Sequence, residues 1–215
     1  MTQPIGIQSV NISGLAPLVP GVKRTRTGIH KQPVSAPVAV QPLGLEGDRV
    51  GNTTYHGGPD QAVYLYSADD YAWWSAQRGT PCAPGLFGEN LTIDRWWPDP
   101  RIGDRLTIGD VILELTAPRI PCNTLATRME DPGFVKQFGD AGRPGAYARV
   151  VRTGVIAAGM TGTMQRPAHE WPTIAELNTL WLRKSRDAAA LHAMLAAPVA
   201  ERYREKLRQW AGLPA

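Results

Sequence analysis

The sequence predicts a mostly-β chain, a barrel or sandwich of short strands, followed by a C-terminal appendage of three helices. Three observations predict it. Of the 22 glycines, 21 fall in residues 1–163 and only Gly212 lies beyond. Glycine at that density suits tight turns between short strands, because it takes positive φ without steric cost. Asp104–Ile108, then Gly109-Asp110, then Val111–Thr116 alternates apolar and polar residues on both sides of a two-residue turn, the signature of a hairpin. From Thr173 onward the apolar period becomes that of amphipathic helices.

Taken in order, Ile5, Ile7 and Val10 begin a first strand, Val34–Val40 form another and Ala62–Tyr66 a third. A helix over Ala68–Arg78 interrupts, with Ser67 as N-cap and Asp70 three residues on. The Asp104–Thr116 hairpin follows. Tyr147–Val151 and Val155–Ala158, joined by Arg152-Thr153-Gly154, repeat the hairpin pattern. A closed barrel or a sandwich limits the sheet edges that so many short strands would expose. In the tail, Thr173-Ile-Ala-Glu176 is a capping box that opens a helix carrying Ile174, Leu177 and Trp181. Asp187–Ala196 gives a second helix with Leu191 and Leu195. Pro198 suits the first turn of a third, where Tyr203, Leu207 and Trp210 recur before Gly212. The division is therefore residues 1–163 for the β domain and 164–215 for the helices, which are too few for an independent core and should pack on the barrel.

Composition narrows the function. The 215 residues are 43% hydrophobic and 20% charged, which is globular. A net charge of +4 without a concentrated basic stripe fits an anionic small molecule better than a nucleic acid. No apolar run reaches the roughly 18 residues of a membrane helix, and the opening residues lack a secretory pattern. Two cysteines, Cys82 and Cys122, cannot build a disulfide framework. The expectation is a cytoplasmic protein with both thiols reduced.

Ordinary catalytic motifs are missing: no nucleophile elbow, no zinc-protease helix, no phosphate loop and no paired Cys-x-x-Cys. Chemistry-bearing residues instead gather in three stretches. In Gly44-Leu-Glu-Gly47-Asp48-Arg49 and His56-Gly57-Gly58-Pro59-Asp60, glycines would let backbone approach a ligand beside Asp48, Arg49, His56 and Asp60. In Pro118-Arg119-Ile120-Pro121-Cys122, two prolines stiffen a cysteine that follows an arginine by three residues. A positive field there favours thiolate, the form that attacks electrophiles or binds soft metals. In Phe87-Gly88-Glu89-Asn90-Leu91 a carboxylate and an amide enter a strand. Each stretch alone also reads as a structural loop, Cys122 as a small buried apolar residue, and Lys31 as a solvated lysine.

Together, Gly28-x-x-Lys31, Gly44-Leu-Glu-Gly47-Asp48, His56-Gly57-Gly58-Pro59-Asp60-x-Ala62-Val63, Phe87-Gly88-Glu89-Asn90-Leu91 and Pro118-Arg119-x-Pro121-Cys122 resemble the MOSC family. That family takes its name from the carboxy-terminal domain of molybdenum cofactor sulfurases. The match runs in order over about residues 5–160, and the helical tail is similar to that of the bacterial subgroup containing the 6-N-hydroxylaminopurine resistance proteins. The resemblance implies a MOSC-type β-barrel and a molybdenum–pterin cofactor held by one thiolate, which maps to Cys122. It implies reduction of N-hydroxylated bases and related compounds, with electrons from a separate redox protein. Lys31, Arg49, Asn90, Arg119 and the backbone of His56-Gly57-Gly58 would then bind the cofactor, and His56 or Asp60 would supply a proton. One departure is Gly159-Met160, where relatives often carry Gly-Asp. A sulfur carrier or cofactor-handling protein, using Cys122 as a persulfide, is the alternative. Pyridoxal phosphate is not expected, since its lysine would have to be Lys31 and nothing nearby specifies a Schiff base. The residues leave the oligomeric state open, a homodimer included.

Overall fold

Alternating burial shapes the first strand. In β1 (Pro4–Ile12), Ile5, Ile7 and Val10 are buried whereas Pro4 and Gln8 face outward, so one face enters the core. The computed structural model describes residues 4–19, 26–54 and 56–214. Short strands follow: β2 (Ala16–Pro17), β3 (Arg26–Thr27), β4 (Gln32–Pro33), β5 (Val38–Gln41) and β6 (Gly44–Leu45). The strand expected over Val34–Val40 starts only at Val38, after Pro37, which has no N–H for a ladder. A 3₁₀ turn (Pro59–Gln61) leads to β7 (Val63–Ser67) and helix α1 (Ala68–Arg78). Helix α1 is capped as the sequence predicts, Ser67 Oγ accepting from the Asp70 N–H at 3.0 Å, and it ends at Gly79 with φ 66°.

After β8 (Leu91–Ile93), the expected hairpin is β9 (Arg105–Ile108) and β10 (Val111–Pro118), with Ile108 opposite Val111. Two helices unforeseen in the sequence come next, α2 (Asn123–Arg128) and α3 (Phe134–Asp140). They bring Leu125, Phe134 and Phe138 onto Tyr64, Tyr66, Tyr71, Trp74 and Phe87 in a second, aromatic core. The second expected hairpin does not form. Strand β11 (Ala146–Arg152) pairs with β10 and β7, while β12 (Gly154–Ile156) leaves for a separate sheet against β5. Finally β13 (Thr161–Gln165) pairs with β9 through Gln165 and Arg105.

The main sheet closes on itself. Its order is β13-β9-β10-β11-β7-β8-β1, and β1 returns to β13 with Ile5 opposite Gly162. Closure of these seven strands leaves no free edge between them, and β4 adds to the far part of β1. All barrel neighbours are antiparallel except β7 and β8. That parallel pair needs a crossover, and α1 with the loop 79–90 provides it.

The tail holds α4 (Ile174–Arg183), α5 (Ala188–Ala196) and α6 (Glu201–Trp210). The Thr173–Glu176 capping box is formed in both directions, at 2.7 and 3.0 Å. Helix α6 begins at Glu201 rather than at Pro198, because the residues before it stay extended to meet the barrel: Ala200 N–H reaches the Thr116 carbonyl at 3.3 Å. Leu177, Leu191 and Leu207 join the same hydrophobic cluster as Leu113 and Leu115 of the barrel. Trp181 stacks at 4.5 Å from Tyr203 and 5.1 Å from Trp210. Leu177 is fully buried in this shared cluster, so Leu177→Ala is expected to lower unfolding free energy by about 2–5 kcal/mol, measured by denaturant titration. A loss under about 1 kcal/mol would mean that α4 packs loosely on the barrel.

Candidate functional site

Residues of β3, β6, β7 and β11, with the loops beside them, line a cavity of about 550 Å³. The 26–31 segment can lie against residues 49–51 only because Gly28 has no side chain; a Cβ there would sit 1.8 Å from the Arg49 carbonyl oxygen. Gly57 and Gly58 both adopt positive φ, 73° and 82°, a succession that L side chains resist. They turn the chain sharply after His56 and present bare backbone to the cavity. Cys122 caps the start of α2, directly after the β10 strand end.

Of the residues that the sequence singles out, Lys31, Arg49, His56, Gly57, Gly58, Asn90, Arg119 and Cys122 all line this cavity. Asp60 does not. The 3₁₀ turn carries its carboxylate to the outer side, where it pairs with Arg149 at 3.0 Å and accepts from the Glu201 N–H at 2.9 Å. The expectation that Asp60 supplies a proton is therefore corrected: it is a docking residue for the tail. Met160, at the position of the relatives' Asp, packs against the hydrophobic cluster and is not among the cavity-lining residues.

The two buried cations differ in role. Lys31 Nζ lies 2.5 Å from both carboxylate oxygens of Asp48. Burial holds its pKa below the ordinary lysine range, against the opposing pull of Asp48. Asn90 completes this wall, donating to Asp48 Oδ2 at 2.9 Å and to the Asn11 carbonyl at 3.4 Å while accepting from the Tyr64 N–H at 3.1 Å. Lys31 and Asn90 thus turn their polar atoms mainly toward protein groups. Arg119 is freer. It donates one N–H to the Phe87 carbonyl and lies 5.3 Å over the Tyr64 ring, but its buried Nε has no hydrogen-bond partner. An unmatched buried donor costs about 1–3 kcal/mol, a cost that an acceptor in the cavity would remove. Arg49 is exposed at the rim.

Cys122 is half-buried and unpaired, as is Cys82. Burial pushes the Cys122 thiol up, but a hydrogen bond from His56, the Arg119 charge and the Leu125 N–H outweigh it and bring its pKa down to about 6. At neutral pH the sulfur is a thiolate facing the cavity. Beneath the floor lies fully buried Glu89. It accepts from Tyr71 at 2.7 Å, Thr92 at 2.8 Å and the Gly85 N–H at 2.5 Å, and its burial raises its pKa. Tyr64 and Tyr147, also in the lining, carry pKa values raised by burial and stay neutral. Neither tyrosine was singled out, because aromatics within strands read as core.

Comparison with known proteins places the chain in a family. The MOSC domain model matches residues 52–161, just over half of the chain. The protein YflK of Bacillus subtilis, described as uncharacterized, is 28% identical over 85% of this chain and 83% of its own length. A protein of Gibberella moniliformis named "Reductase" is 35% identical over 69% of this chain, which spans only 27% of that longer relative. The crystal structure of YiiM from Geobacillus stearothermophilus superposes with a TM-score of 0.80 at 27% identity, covering 96% of this chain and 98% of its own. With the family model falling on the part of the chain that carries His56, Asn90, Arg119 and Cys122 and the barrel matching that of YiiM, this chain belongs to the MOSC domain family.

Proposed function

We propose that the chain is a molybdenum-cofactor-dependent reductase of N-hydroxylated bases and related compounds, such as 6-hydroxylaminopurine, serving detoxification. The observation that carries the reading is that Cys122, His56, Arg49 and Arg119 line one cavity, with the buried Arg119 Nε left without a partner; the Arg119 charge and His56 favour the thiolate form of Cys122 there. Membership of the MOSC family and the fungal relative's printed name support a reductase. The donor set also fits the cofactor. Among the described residues no group of three or more His, Cys, Asp or Glu side chains comes together as a metal site. A metal here would rest on Cys122 and on ligands that the cofactor brings, and a soft thiolate suits molybdenum.

Each residue then has a physical task. Cys122 holds the metal. Arg119, Arg49 and the backbone at Gly57-Gly58 bind the anionic end of the pterin, with charge-assisted hydrogen bonds from the arginines. The Lys31–Asp48–Asn90 set fixes the opposite wall. When bound, the cofactor supplies two electrons and a site that accepts oxygen. His56, which lines the same cavity as Cys122, would pass a proton to the departing oxygen, a task the raised pKa of Tyr64 and Tyr147 suits them to poorly. The overall change is R–NHOH with two electrons and two protons giving R–NH₂ and water. Electrons come from a separate redox protein.

The test uses protein made in a host that synthesises molybdenum cofactor, with a chemical electron donor. Metal and pterin should copurify in about equal amounts, and 6-hydroxylaminopurine should be converted to adenine. A fully loaded protein that reduces no hydroxylamine, yet carries and transfers a persulfide on Cys122, would establish the carrier role instead.

A further inference from the structure

A second cavity, of about 320 Å³, opens where the tail meets the β domain, and it shares no lining residue with the first. Its lining comes from the 96–100 loop, the turn 141–146 that runs into β11, and the first residues of α4. Trp96, Pro100, Pro144 and Ile174 make it largely apolar, and its charged residues are Asp70 and Arg143. The Asp70 side chain is 7% exposed and saturated on both oxygens: Oδ1 accepts from Arg143 Nη1 at 2.6 Å and Oδ2 from Trp96 Nε1 at 2.9 Å. One buried carboxylate thus sets the positions of a guanidinium and an indole. The Arg143 guanidinium also lies 4.8 Å from the centre of the Trp73 ring. Two buried tyrosines fix the turn from beneath. Tyr66 donates its hydroxyl to the Arg143 carbonyl at 3.0 Å, and Tyr64 donates to the Pro144 carbonyl at 2.8 Å. The cavity is therefore preformed, as small-molecule sites usually are.

We infer that this cavity is a second ligand site, for a flat aromatic or heteroaromatic monocarboxylate. Its volume falls at the lower end of small-molecule pockets, which start at about 300 Å³, and so suits one or two fused rings. Trp96 supplies an aromatic surface for them. Arg143 defines the polar end. Among the described residues its one side-chain hydrogen bond is that to Asp70, and its side chain is 37% exposed. Most of the guanidinium donors therefore stay open, and their planar fork matches a carboxylate in two parallel bonds. Asp70 sets the charge of the ligand. It cancels most of the Arg143 field at a distance, so a phosphate dianion would surrender more hydration than a monoanion for little added attraction. An ion pair that only joined α1 to the turn would not need an apolar hollow beside the open edge of the guanidinium. Because Ile174 and Ala175 belong to α4, the tail then completes a binding site as well as covering the barrel.

The inference stands apart from the reductase reading, and its test reads binding alone. The full chain is titrated by calorimetry with 2-naphthoate, its neutral amide 2-naphthamide, and phenyl phosphate. The Trp96 indole N–H, assigned through Trp96→Phe, is followed by heteronuclear NMR. 2-Naphthoate should bind one to one, shift the Trp96 resonance, and bind about tenfold or more tighter than 2-naphthamide, as a charge-assisted pair predicts. Arg143→Met keeps an apolar stem against Trp73 and should weaken 2-naphthoate by about 10–100-fold while leaving 2-naphthamide nearly unchanged. That variant also strips Asp70 of one donor, so Ala175→Phe serves as the second. Ala175 is exposed at the edge of the cavity, and a ring there should block both ligands while the Asp70–Arg143 pair and the Thr173 capping box stay in place. Four results would each overturn the site: no binding of 2-naphthoate at about 1 mM, equal affinity for acid and amide, tighter binding of phenyl phosphate, or 2-naphthoate binding that survives both substitutions and so lies elsewhere on the protein.

Discussion

Cys122→Ser should remove bound molybdenum and reductase activity together, to below about one thousandth of wild type if the thiolate is the protein's ligand. With a pKa of about 6, roughly nine tenths of the sulfur is anionic at pH 7. A serine hydroxyl in the same place is essentially never ionised and would be a harder ligand. The substitution nearly conserves shape at a half-buried position, so melting temperature should change little at about pH 6 and below, where the ionised thiol contributes no extra stability. The pH dependence carries a sign of its own. A thiol whose folded pKa is depressed stabilises the fold fully above the unfolded thiol range, and that contribution fades as pH falls toward 6. Wild-type protein should accordingly lose this increment between about pH 9 and 6, and Cys122→Ser should lack it. Molybdenum retained by the serine protein at wild-type stoichiometry would remove Cys122 from the ligand role.

His56→Ala should slow turnover by about 10²–10⁴-fold while much of the cofactor stays bound, because it would delete the proposed proton donor and leave the proposed ligand in place. It has a second effect of predictable direction. The hydrogen bond from His56 is the largest influence holding the Cys122 thiol down, so its loss should shift cofactor loading to higher pH. Metal content per protein, measured beside kcat on the loaded fraction, separates the two effects. If kcat per bound molybdenum is unchanged, His56 only tunes the sulfur and the proton comes from elsewhere.

Local signals were legible in the sequence, and long-range ones were not. The β9–β10 hairpin, the Ser67 cap and the Thr173 capping box each depend on residues within a few positions of one another, and each stands as read. Strand β12 was misread because its partner, β5, lies more than a hundred residues away, whereas its neighbour β11 is adjacent in the chain. Helices α2 and α3 are too short to show a period, with six and seven residues. At the site, residue type located the cavity lining, but spacing misled at Asp60. Four residues from His56, it is turned to the opposite side by the intervening Gly-Gly-Pro and the 3₁₀ turn. The Lys31–Asp48 pair had no signal, since nothing in a 17-residue separation says that two charges meet. Arg119 stands out in the sequence by its place before Cys122, but its unmatched Nε emerges only from packing.

Barrel closure by β1 on β13 has a consequence for the timing of assembly. Residues 4–6 find their partners at 161–163, so during synthesis the first strand must wait for most of the chain to leave the ribosome. Such high contact order slows folding relative to a helical bundle of the same length. The cavity is lined by residues as far apart in the chain as Arg26 and Tyr147, and its loops are tied by residues 201–203. A ligand therefore meets the cavity with its loops tied only after translation has passed the tail, and under the proposed function cofactor insertion would be a post-translational event.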